Sequence, residues 1–339
     1  MSQKLRINCL NFSSLLVFML IFQLNILAQT TTVDGLVDQG KKVYGAIAVL
    51  ATKDGKPVYQ KELGDYTINT QEKIGVASSW FTAALVMYMV DQGKIKLDDK
   101  VSKYLPIYEK YSKGYLTIRH CLSNTTGLEA EKDGIQKMFQ KTKFSSLEEQ
   151  VNAFASKREI VANPGEQYYY SNIGLNIAAR ILEVVSKKSF DRLATEKLFR
   201  PLTMKKTSFA NETIVNPTSG AISTATDYCK FLTMLLNKGS YNGKTVLSEK
   251  SVATLLSIQE SKAAVAYNPK GVEHSGHAFG SWVDDKVFYA PGFQGSFAFL
   301  DTCRNYAGTI IVKSKPKEEK IDYYRQVEEA LKPLGGECH

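Results

Sequence analysis

One apolar stretch constrains the fold of this chain more than any other feature. From Trp80 to Val90 the only clearly polar side chain is Thr82, and Gly93 follows where a helix would end. A helix that is apolar on every side is normally buried, and this stretch is too short to span a bilayer, which needs about 20 such residues. It therefore predicts a buried central helix, about residues 79–92, in a globular domain.

Two serines stand at the start of this helix. The side chain of Ser78 or Ser79 is able to accept a hydrogen bond from the free N–H groups of the first helical turn. A serine hydroxyl at the same place is also a candidate nucleophile. The sequence leaves both interpretations, helix cap and nucleophile, open.

The beginning of the chain has the pattern of a cleaved signal peptide. Lys4 and Arg6 precede an apolar run from Leu15 to Leu27, which ends at the small residue Ala28. We therefore expect residues 1–28 to be removed and the protein to be secreted or periplasmic. An uncleaved membrane anchor is the alternative.

The rest of the chain has an ordinary globular composition, with 44% hydrophobic and 23% charged residues among 339. Nothing divides it into repeats or linked segments, so residues 29–339 are predicted to form one domain.

The net charge is +9, or +7 once the two basic residues of the signal are subtracted. No aromatic-interleaved basic stripe suggests nucleic acid. A loose association with an anionic cell envelope is possible in principle, and a solvated basic surface is the simpler interpretation.

Strand patterns occur at both ends of the chain and helical patterns lie between them. The predicted fold is α+β: one antiparallel sheet built from both termini, about residues 40–75 and 277–333, flanked by helices, with an inserted helical lobe at about 95–260. A site would lie between the two lobes. The strands are predicted at 43–52, 57–64, 278–283, 287–290, 296–301 and 306–312, with a hairpin turn at Asp54-Gly55.

Cysteines and histidines give little support for metal chemistry. Cys121 and Cys229 lie in apolar helical patterns and are predicted to be buried thiols, whereas disulfide pairing cannot be read from the spacing. Only His274 and His277 have a ligand-like spacing, without a nearby run of carboxylates. We therefore predict no metal and no cofactor.

Five stretches, in order and at sensible spacing, resemble the serine β-lactamase-like hydrolases, the group that contains class C β-lactamases, penicillin-binding proteins and related esterases. The resemblance covers about residues 40–335, and it implies the mixed sheet and helical lobe described above. The matching stretches are Met87–Val101, with its Gly-Lys-x-x-Leu-Asp-Asp; Leu116–Leu128; Asn163–Asn172, with its Pro-Gly and Tyr-x-Asn; Gly220–Asp227; and Ala290–Asp301.

The resemblance also implies a site. In the family a Ser at the start of the central helix attacks a carbonyl to form an acyl-enzyme, and a Lys three residues later, with the Tyr of Tyr-x-Asn, takes its proton. Carried onto this chain, Ser78 is the nucleophile and Tyr170 the base. Asn172, Gly292 and Phe293 bind a small-molecule or peptide-like acyl substrate, with the Phe293 N–H as an oxyanion donor.

The chain departs from the family at the Ser-x-x-Lys motif. Three residues after Ser78 stands Phe81, and three after Ser79 stands Thr82, so no lysine is available. The simplest description from the sequence is a gap of two residues. In addition, Ala290 stands where the family commonly has a polar side chain.

Three functions stay open on this evidence. The first is an exported serine hydrolase of impaired activity, which acts on an ester, amide or lactam. The second is a non-catalytic protein that binds a cell-wall-like or acylated ligand in the same cleft. The third is a purely structural envelope protein. The oligomeric state is not predicted.

Overall fold

The chain is described by a computed structural model. The predicted signal, residues 1–28, lies outside the described residues. Within the described part, no helix is both long enough and apolar enough to cross a membrane. The described residues are 32–130, 144–209, 214–259, 263–291, 293, 295–313 and 321–338.

A seven-stranded antiparallel sheet joins the two ends of the chain, as predicted. Its strands are β1 (Ile47–Lys53), β2 (Lys56–Leu63), β9 (Gly276–Ala278), β10 (Ser281–Asp284), β11 (Val287–Ala290), β12 (Ser296–Asp301) and β13 (Tyr306–Val312). Their order in the sheet is β2-β1-β13-β12-β11-β10-β9. Strand β1 lies beside β13, with Ile47 opposite Val312 and Lys53 opposite Tyr306.

The predicted hairpin between β1 and β2 is confirmed. Asp54 and Gly55 both have positive φ, at 51° and 73°, which is the backbone that a two-residue hairpin turn requires. Asp tolerates this conformation and Gly adopts it without strain. The local sequence therefore fixes the register in which the first two strands pair.

The start of the first strand was predicted too early. Residues 32–44 form a helix, α1, and β1 begins only at Ile47. Gly45, at φ 80°, ends the helix in the left-handed conformation typical of helix C-termini. Tyr44 is therefore helical, and its ring stacks on that of Tyr324 at 6.1 Å.

The inserted lobe is mainly helical and surrounds the predicted central helix, α2. Unpredicted short strands also occur: β3 (Glu72–Lys73) pairs with β5 (Ile222–Ser223), β4 (Gln167–Tyr169) with β8 (Ala264–Tyr267), and β6 (Ser240–Tyr241) with β7 (Lys244–Thr245). The helices are α2 (Ser78–Asp91), α3 (Ile107–Lys110), α4 (Ile118–Leu122), α5 (Leu147–Lys157), α6 (Ile173–Ser186), α7 (Phe190–Ala194), α8 (Ala225–Leu236), α9 (Glu249–Leu255) and α10 (Ile321–Leu331).

The cysteines divide as the helical patterns predicted. Cys121 and Cys229 are buried free thiols, which confirms their prediction. Cys303 and Cys338, whose pairing the sequence did not reveal, form a disulfide. This bond joins the chain terminus to the turn between β12 and β13.

Aromatic packing holds α2 in the core. Phe81 is fully buried, and its ring lies 5.2 Å from Phe199, 5.0 Å from Tyr228 and 4.8 Å from Phe231. Phe199 comes from the segment after α7, whereas Tyr228 and Phe231 both lie on α8, so Phe81 links α2 to two other parts of the helical lobe.

We expect Phe81→Ala to lower the free energy of unfolding by about 3–5 kcal/mol, because it removes a buried ring and leaves a cavity among three others. Urea unfolding followed by circular dichroism measures the change. The matched control is Val184→Ala on α6, where the side chain is partly exposed, with an expected loss below about 1 kcal/mol. Equal losses in the two variants would contradict the central position of α2.

Candidate functional site

The first turn of α2 is preceded by a short 3₁₀ turn, Gly75–Ala77. Ala77 is the N-cap residue of α2 and no side chain caps the helix. The backbone N–H of Ser78 instead donates to the carbonyl oxygens of Gly75 and Val76. The prediction of Ser78 or Ser79 as a helix cap is therefore wrong: the Ser78 hydroxyl bonds to Gly75 and Ala221, and the Ser79 hydroxyl to Thr218, rather than to a first-turn N–H of α2.

The hydroxyl of Ser78 is enclosed by backbone. Its exposed fraction is 0%. The Oγ atom donates to the carbonyl oxygen of Gly75 at 2.6 Å and accepts from the backbone N–H of Ala221 at 3.0 Å. The hydroxyl thus ties the start of α2 to the segment that leads into β5. Both partners are amide groups that accept no proton, so neither is a base for a serine nucleophile.

The neighbouring Ser79 lies beside Tyr170. The Ser79 Oγ donates to the carbonyl oxygen of Thr218 at 2.9 Å. The Tyr170 hydroxyl is buried without a hydrogen bond of normal geometry. Burial raises the pKa of Tyr170 well above the usual tyrosine value, and the adjacent Ser79 hydroxyl offsets this only in part. Tyr170 is therefore neutral at physiological pH and a poor base.

An apolar cluster occupies the space between the sheet and the helical lobe where a site was expected. Val76, with an exposed fraction of 1%, packs in the same buried cluster as Tyr170, Trp282 and Phe293. The ring of Trp282 lies 4.6 Å from that of Tyr170 and 6.3 Å from that of Phe293. The centre of the expected cleft is thus filled by the protein's own side chains.

Gly280 brings the sheet against the start of α2. Its φ of 79° is one that Gly adopts readily, and a Cβ atom there would lie 2.6 Å from the Ser79 carbonyl oxygen. Any larger residue would push β10 away from the helix. The contact places Trp282, two residues further on, beside Tyr170.

The predicted substrate-binding residues are only partly brought together. Asn172 is the N-cap residue of α6, makes no side-chain capping bond, and accepts a backbone hydrogen bond from Asn176. Gly292 lies outside the described residues. Phe293 is buried in the apolar cluster, and its backbone N–H donates to the carbonyl oxygen of Pro291 at 2.9 Å. The donor predicted for an oxyanion is therefore already engaged.

His277 has a packing role on β9. Its ring stacks on Tyr168 at 3.5 Å, and its Nε2 lies 2.9 Å from Oδ1 of Asn268, which also accepts from Trp282 Nε1 at 3.0 Å. In the described ranges no group of three or more His, Cys, Asp or Glu side chains is placed to hold a metal ion.

The sequence analysis did not include Val76 among the candidate site residues. Val76 and Ser79 stand three residues apart, which places them on one face of a helical start. Val76 belongs to the same buried cluster as Tyr170, and the Ser79 hydroxyl is adjacent to the Tyr170 hydroxyl. Within the described part of the chain, no lysine side chain hydrogen-bonds to Ser78, Ser79 or Tyr170. Counting back three residues from Ser79, rather than forward, is the signal that identifies this pair. The roles predicted for Ser78, Tyr170 and Asn172 stay predictions.

We expect Ser78→Ala to lower the free energy of unfolding by about 1–3 kcal/mol, because it leaves the buried N–H of Ala221 without a partner and removes one of two hydrogen bonds to the Gly75 carbonyl. Chemical denaturation measures the loss. The control is Ser257→Ala, at an exposed hydroxyl that bonds to Thr254, with an expected change within about 0.5 kcal/mol. A Ser78→Ala variant as stable as the control would show that the hydroxyl does not support the fold.

Comparison with known proteins agrees with this architecture. The family model described as Beta-lactamase matches residues 33–331. Among curated proteins, the Staphylococcus aureus (strain MW2) protein flp is 25% identical over 173 residues, covering 48% of this chain. The Dictyostelium discoideum Beta-lactamase-like protein 4 is 25% identical over 213 residues, covering 55%. The chain spans only 34% and 37% of the length of these two relatives.

Solved structures share the fold over most of the chain. A beta-lactamase-like protein of Bacteroides dorei DSM 17855 has a TM-score of 0.80 at 24% identity, covering 91% of this chain and 99% of its own. EstCE1, a hydrolase with promiscuous acyltransferase activity, has a TM-score of 0.75 at 17% identity, covering 91% and 99%. The octameric penicillin-binding protein homologue of Pyrococcus abyssi has a TM-score of 0.70 at 20% identity, covering 90% and 78%.

Proposed function

Because the chain belongs to the Beta-lactamase family, we propose that it keeps the fold of a β-lactamase-like serine hydrolase but binds its ligand without hydrolysing it. One observation carries the proposal. The hydroxyl of Ser78, the serine predicted to attack the substrate, is buried between the Gly75 carbonyl and the Ala221 N–H. A nucleophile must reach its substrate and give its proton to a base, and this hydroxyl does neither.

The alignment of the motif follows from the geometry. The family pattern Ala-Ser-x-x-Lys-Trp fits Gly75-Val76-Ala77-Ser78-Ser79-Trp80 without a gap. In this register Val76 takes the place of the nucleophile and Ser79 the place of the lysine. The burial of Val76 in the same cluster as Tyr170, and the position of the Ser79 hydroxyl beside Tyr170, support this register over the two-residue gap. Two substitutions, rather than a deletion, then account for the missing motif.

These two substitutions remove complementary parts of the chemistry. Valine carries no nucleophilic atom, so no acyl-enzyme forms at position 76. Serine carries no positive charge, so nothing at position 79 favours the charged form of Tyr170, which burial already disfavours. The site then holds only neutral, largely apolar side chains where the family has a nucleophile and its base.

The proposed ligand is acylated or cell-wall-like, taken up at the mouth between the sheet and the helical lobe. The competing proposal is an exported hydrolase in which Ser78 moves out of its buried position to attack an ester, amide or lactam, with Tyr170 as the base.

The register is tested by rebuilding the motif. In the double variant Val76→Ser/Ser79→Lys we expect hydrolysis of p-nitrophenyl acetate to rise by about 10²–10⁴-fold, the usual contribution of a positioned base. The matched control is Val76→Ser/Ser79→Ala, which supplies the hydroxyl without the amine and is expected to stay near the wild-type rate. With wild type and with Ser78→Ala, p-nitrophenyl acetate should be hydrolysed no faster than in buffer without protein.

Two results would count against the proposal. One is esterase activity in the wild type that disappears in Ser78→Ala, since this identifies Ser78 as a working nucleophile. The other is a folded double variant without any gain. If burying the lysine prevents folding, Val76→Ser alone is treated with an acylating probe, and mass spectrometry must find the adduct at position 76.

We also propose that the protein is exported, on the support of its covalent cross-link. Disulfides persist in oxidising compartments and are rare in the cytosol, and Cys303 is bonded to Cys338. This agrees with the predicted signal over residues 1–28. A net charge of +9 over the whole sequence suits loose contact with an anionic envelope.

Export is tested by fractionating cells that express the full chain. We expect the protein outside the cytoplasm, beginning at Gln29, with a peptide map that links Cys303 to Cys338. A cytoplasmic protein that keeps Met1 and carries both cysteines as free thiols would contradict the proposal.

A further inference from the structure

Residues 332–338 form a strap that runs from the end of α10 to the turn between β12 and β13. The strap begins with the 3₁₀ turn Lys332–Gly335 after α10. It ends at Cys338, whose sulfur is bonded to Cys303 in the turn between β12 and β13. One covalent bond therefore fixes its far end.

Two further bonds hold the middle of the strap. Lys53 Nζ donates to the carbonyl oxygen of Gly335 at 2.5 Å. Arg304 Nε donates to the carbonyl oxygen of Gly336 at 3.1 Å. Both use backbone acceptors, so they position the strap without depending on its side chains.

A buried carboxyl group lies near the strap. Glu328 on α10 is largely buried, and its Oε1 makes no hydrogen bond. Gly335 packs directly on the ring of Tyr306, so that a Cβ atom there would lie 3.0 Å from the ring. The Tyr306 hydroxyl is also buried without a hydrogen bond. The strap thus covers the Tyr306 ring beside two buried polar groups, the Glu328 carboxyl and the Tyr306 hydroxyl.

Charges from every neighbouring element act on Glu328. Its nearest cation is Lys332, at 3.9 Å from Oε2. Burial is the larger influence and raises the pKa of Glu328 to about 7. The other groups that face it are Asp301 on β12, which is paired with Arg304 at 2.8 Å, Tyr306 on β13, and Glu329 on α10.

The disulfide is placed where a reductant can attack it. Cys338 is exposed, and the ammonium group of Lys286 lies 3.7 Å from the sulfur of Cys303. A neighbouring cation stabilises a thiolate and so makes it a better leaving group. The positions of the two sulfurs favour attack at Cys338 with departure of Cys303.

We infer that the strap is a redox-controlled cover: the Cys303–Cys338 bond holds it over Tyr306 beside the buried Glu328, and reduction of this bond by a dithiol releases the strap and hydrates Glu328. In the first step a reductant thiolate bonds to the Cys338 sulfur, and the disulfide electron pair leaves on Cys303 as a thiolate. In the second step the other reductant thiol gives its proton to the Cys303 thiolate and attacks the reductant sulfur bonded to Cys338. This closes a cyclic disulfide in the reductant and releases Cys338 as a thiolate, so two electrons pass from the dithiol to the protein.

The sign of the pH effect follows from the raised pKa of Glu328. A carboxyl whose pKa is higher in the folded than in the unfolded protein stabilises the fold at low pH, and this advantage is lost as pH rises through about 7. Oxidised wild type should therefore lose about 2–6 °C of Tm relative to Glu328→Gln between pH 5 and pH 8. After release of the strap this difference should disappear.

The experiment measures Tm from pH 5 to pH 8 for four proteins, each with and without dithiothreitol: wild type, Glu328→Gln, Cys338→Ser and the strap control Glu337→Gln. We expect Cys338→Ser to behave as reduced wild type and Glu337→Gln as wild type. In a separate arm, Lys286→Gln should slow reduction by about two- to five-fold relative to Lys244→Gln, an exposed lysine.

The inference fails if the difference between wild type and Glu328→Gln is the same in oxidised and reduced protein. It also fails if peptide mapping finds both cysteines free in protein purified under oxidising conditions. Should Cys338→Ser not fold, dithiothreitol-treated wild type alone still decides the comparison. An unchanged rate in Lys286→Gln would overturn the assignment of Cys303 as the leaving thiolate.

Discussion

From Ser78 to Met87, helix α2 has no side chain that reaches water. Every polar atom in its first turn must therefore find a partner inside the protein or remain unpaired at a cost of about 1–3 kcal/mol. The Ser78 hydroxyl meets this requirement through the Gly75 carbonyl and the Ala221 N–H. Because these two groups belong to different segments, one hydroxyl joins the central helix to the segment that enters β5.

The same constraint explains the chemistry of the site. A reactive serine at the start of a buried helix needs an opening to the cleft and a charged neighbour that lowers the cost of losing its proton. In the register that we propose, Val76 takes the nucleophile's position and the neutral Ser79 that of the lysine. Among the described residues no cation acts on Tyr170, which burial keeps protonated in the cluster that holds Trp282 and Phe293. Burial, which stabilises the fold, then works against hydrolysis.

The sequence anticipated the architecture well because strand and helix patterns are local. The alternating strands at both termini and the Asp54-Gly55 turn lead directly to the antiparallel sheet. Val43 and Tyr44 were assigned to a strand because β-branched and aromatic residues favour strands, yet they end helix α1. The packing of α1 on the sheet, which depends on residues far apart in the chain, decided their conformation.

The site was harder to predict, because its geometry depends on which side chain faces which space. A valine in an apolar run looks like any core residue, so the sequence favoured counting the motif from the two serines. The register that we propose, which counts it from Val76, depends on the burial of Val76 with Tyr170 and on the position of Ser79 beside Tyr170. The disulfide could not be predicted either, since Cys303 and Cys338 are 35 positions apart in the sequence and nothing in that segment indicates their contact.

The central claim is that no serine in the first turn of α2 is acylated by a substrate. The most direct test incubates wild-type protein at high concentration with a fluorescent penicillin and, separately, with an activated ester, and then measures the intact mass. The account predicts an unchanged mass after many hours. A mass increase of one acyl group, mapped to Ser78 and absent from Ser78→Ala, would contradict it.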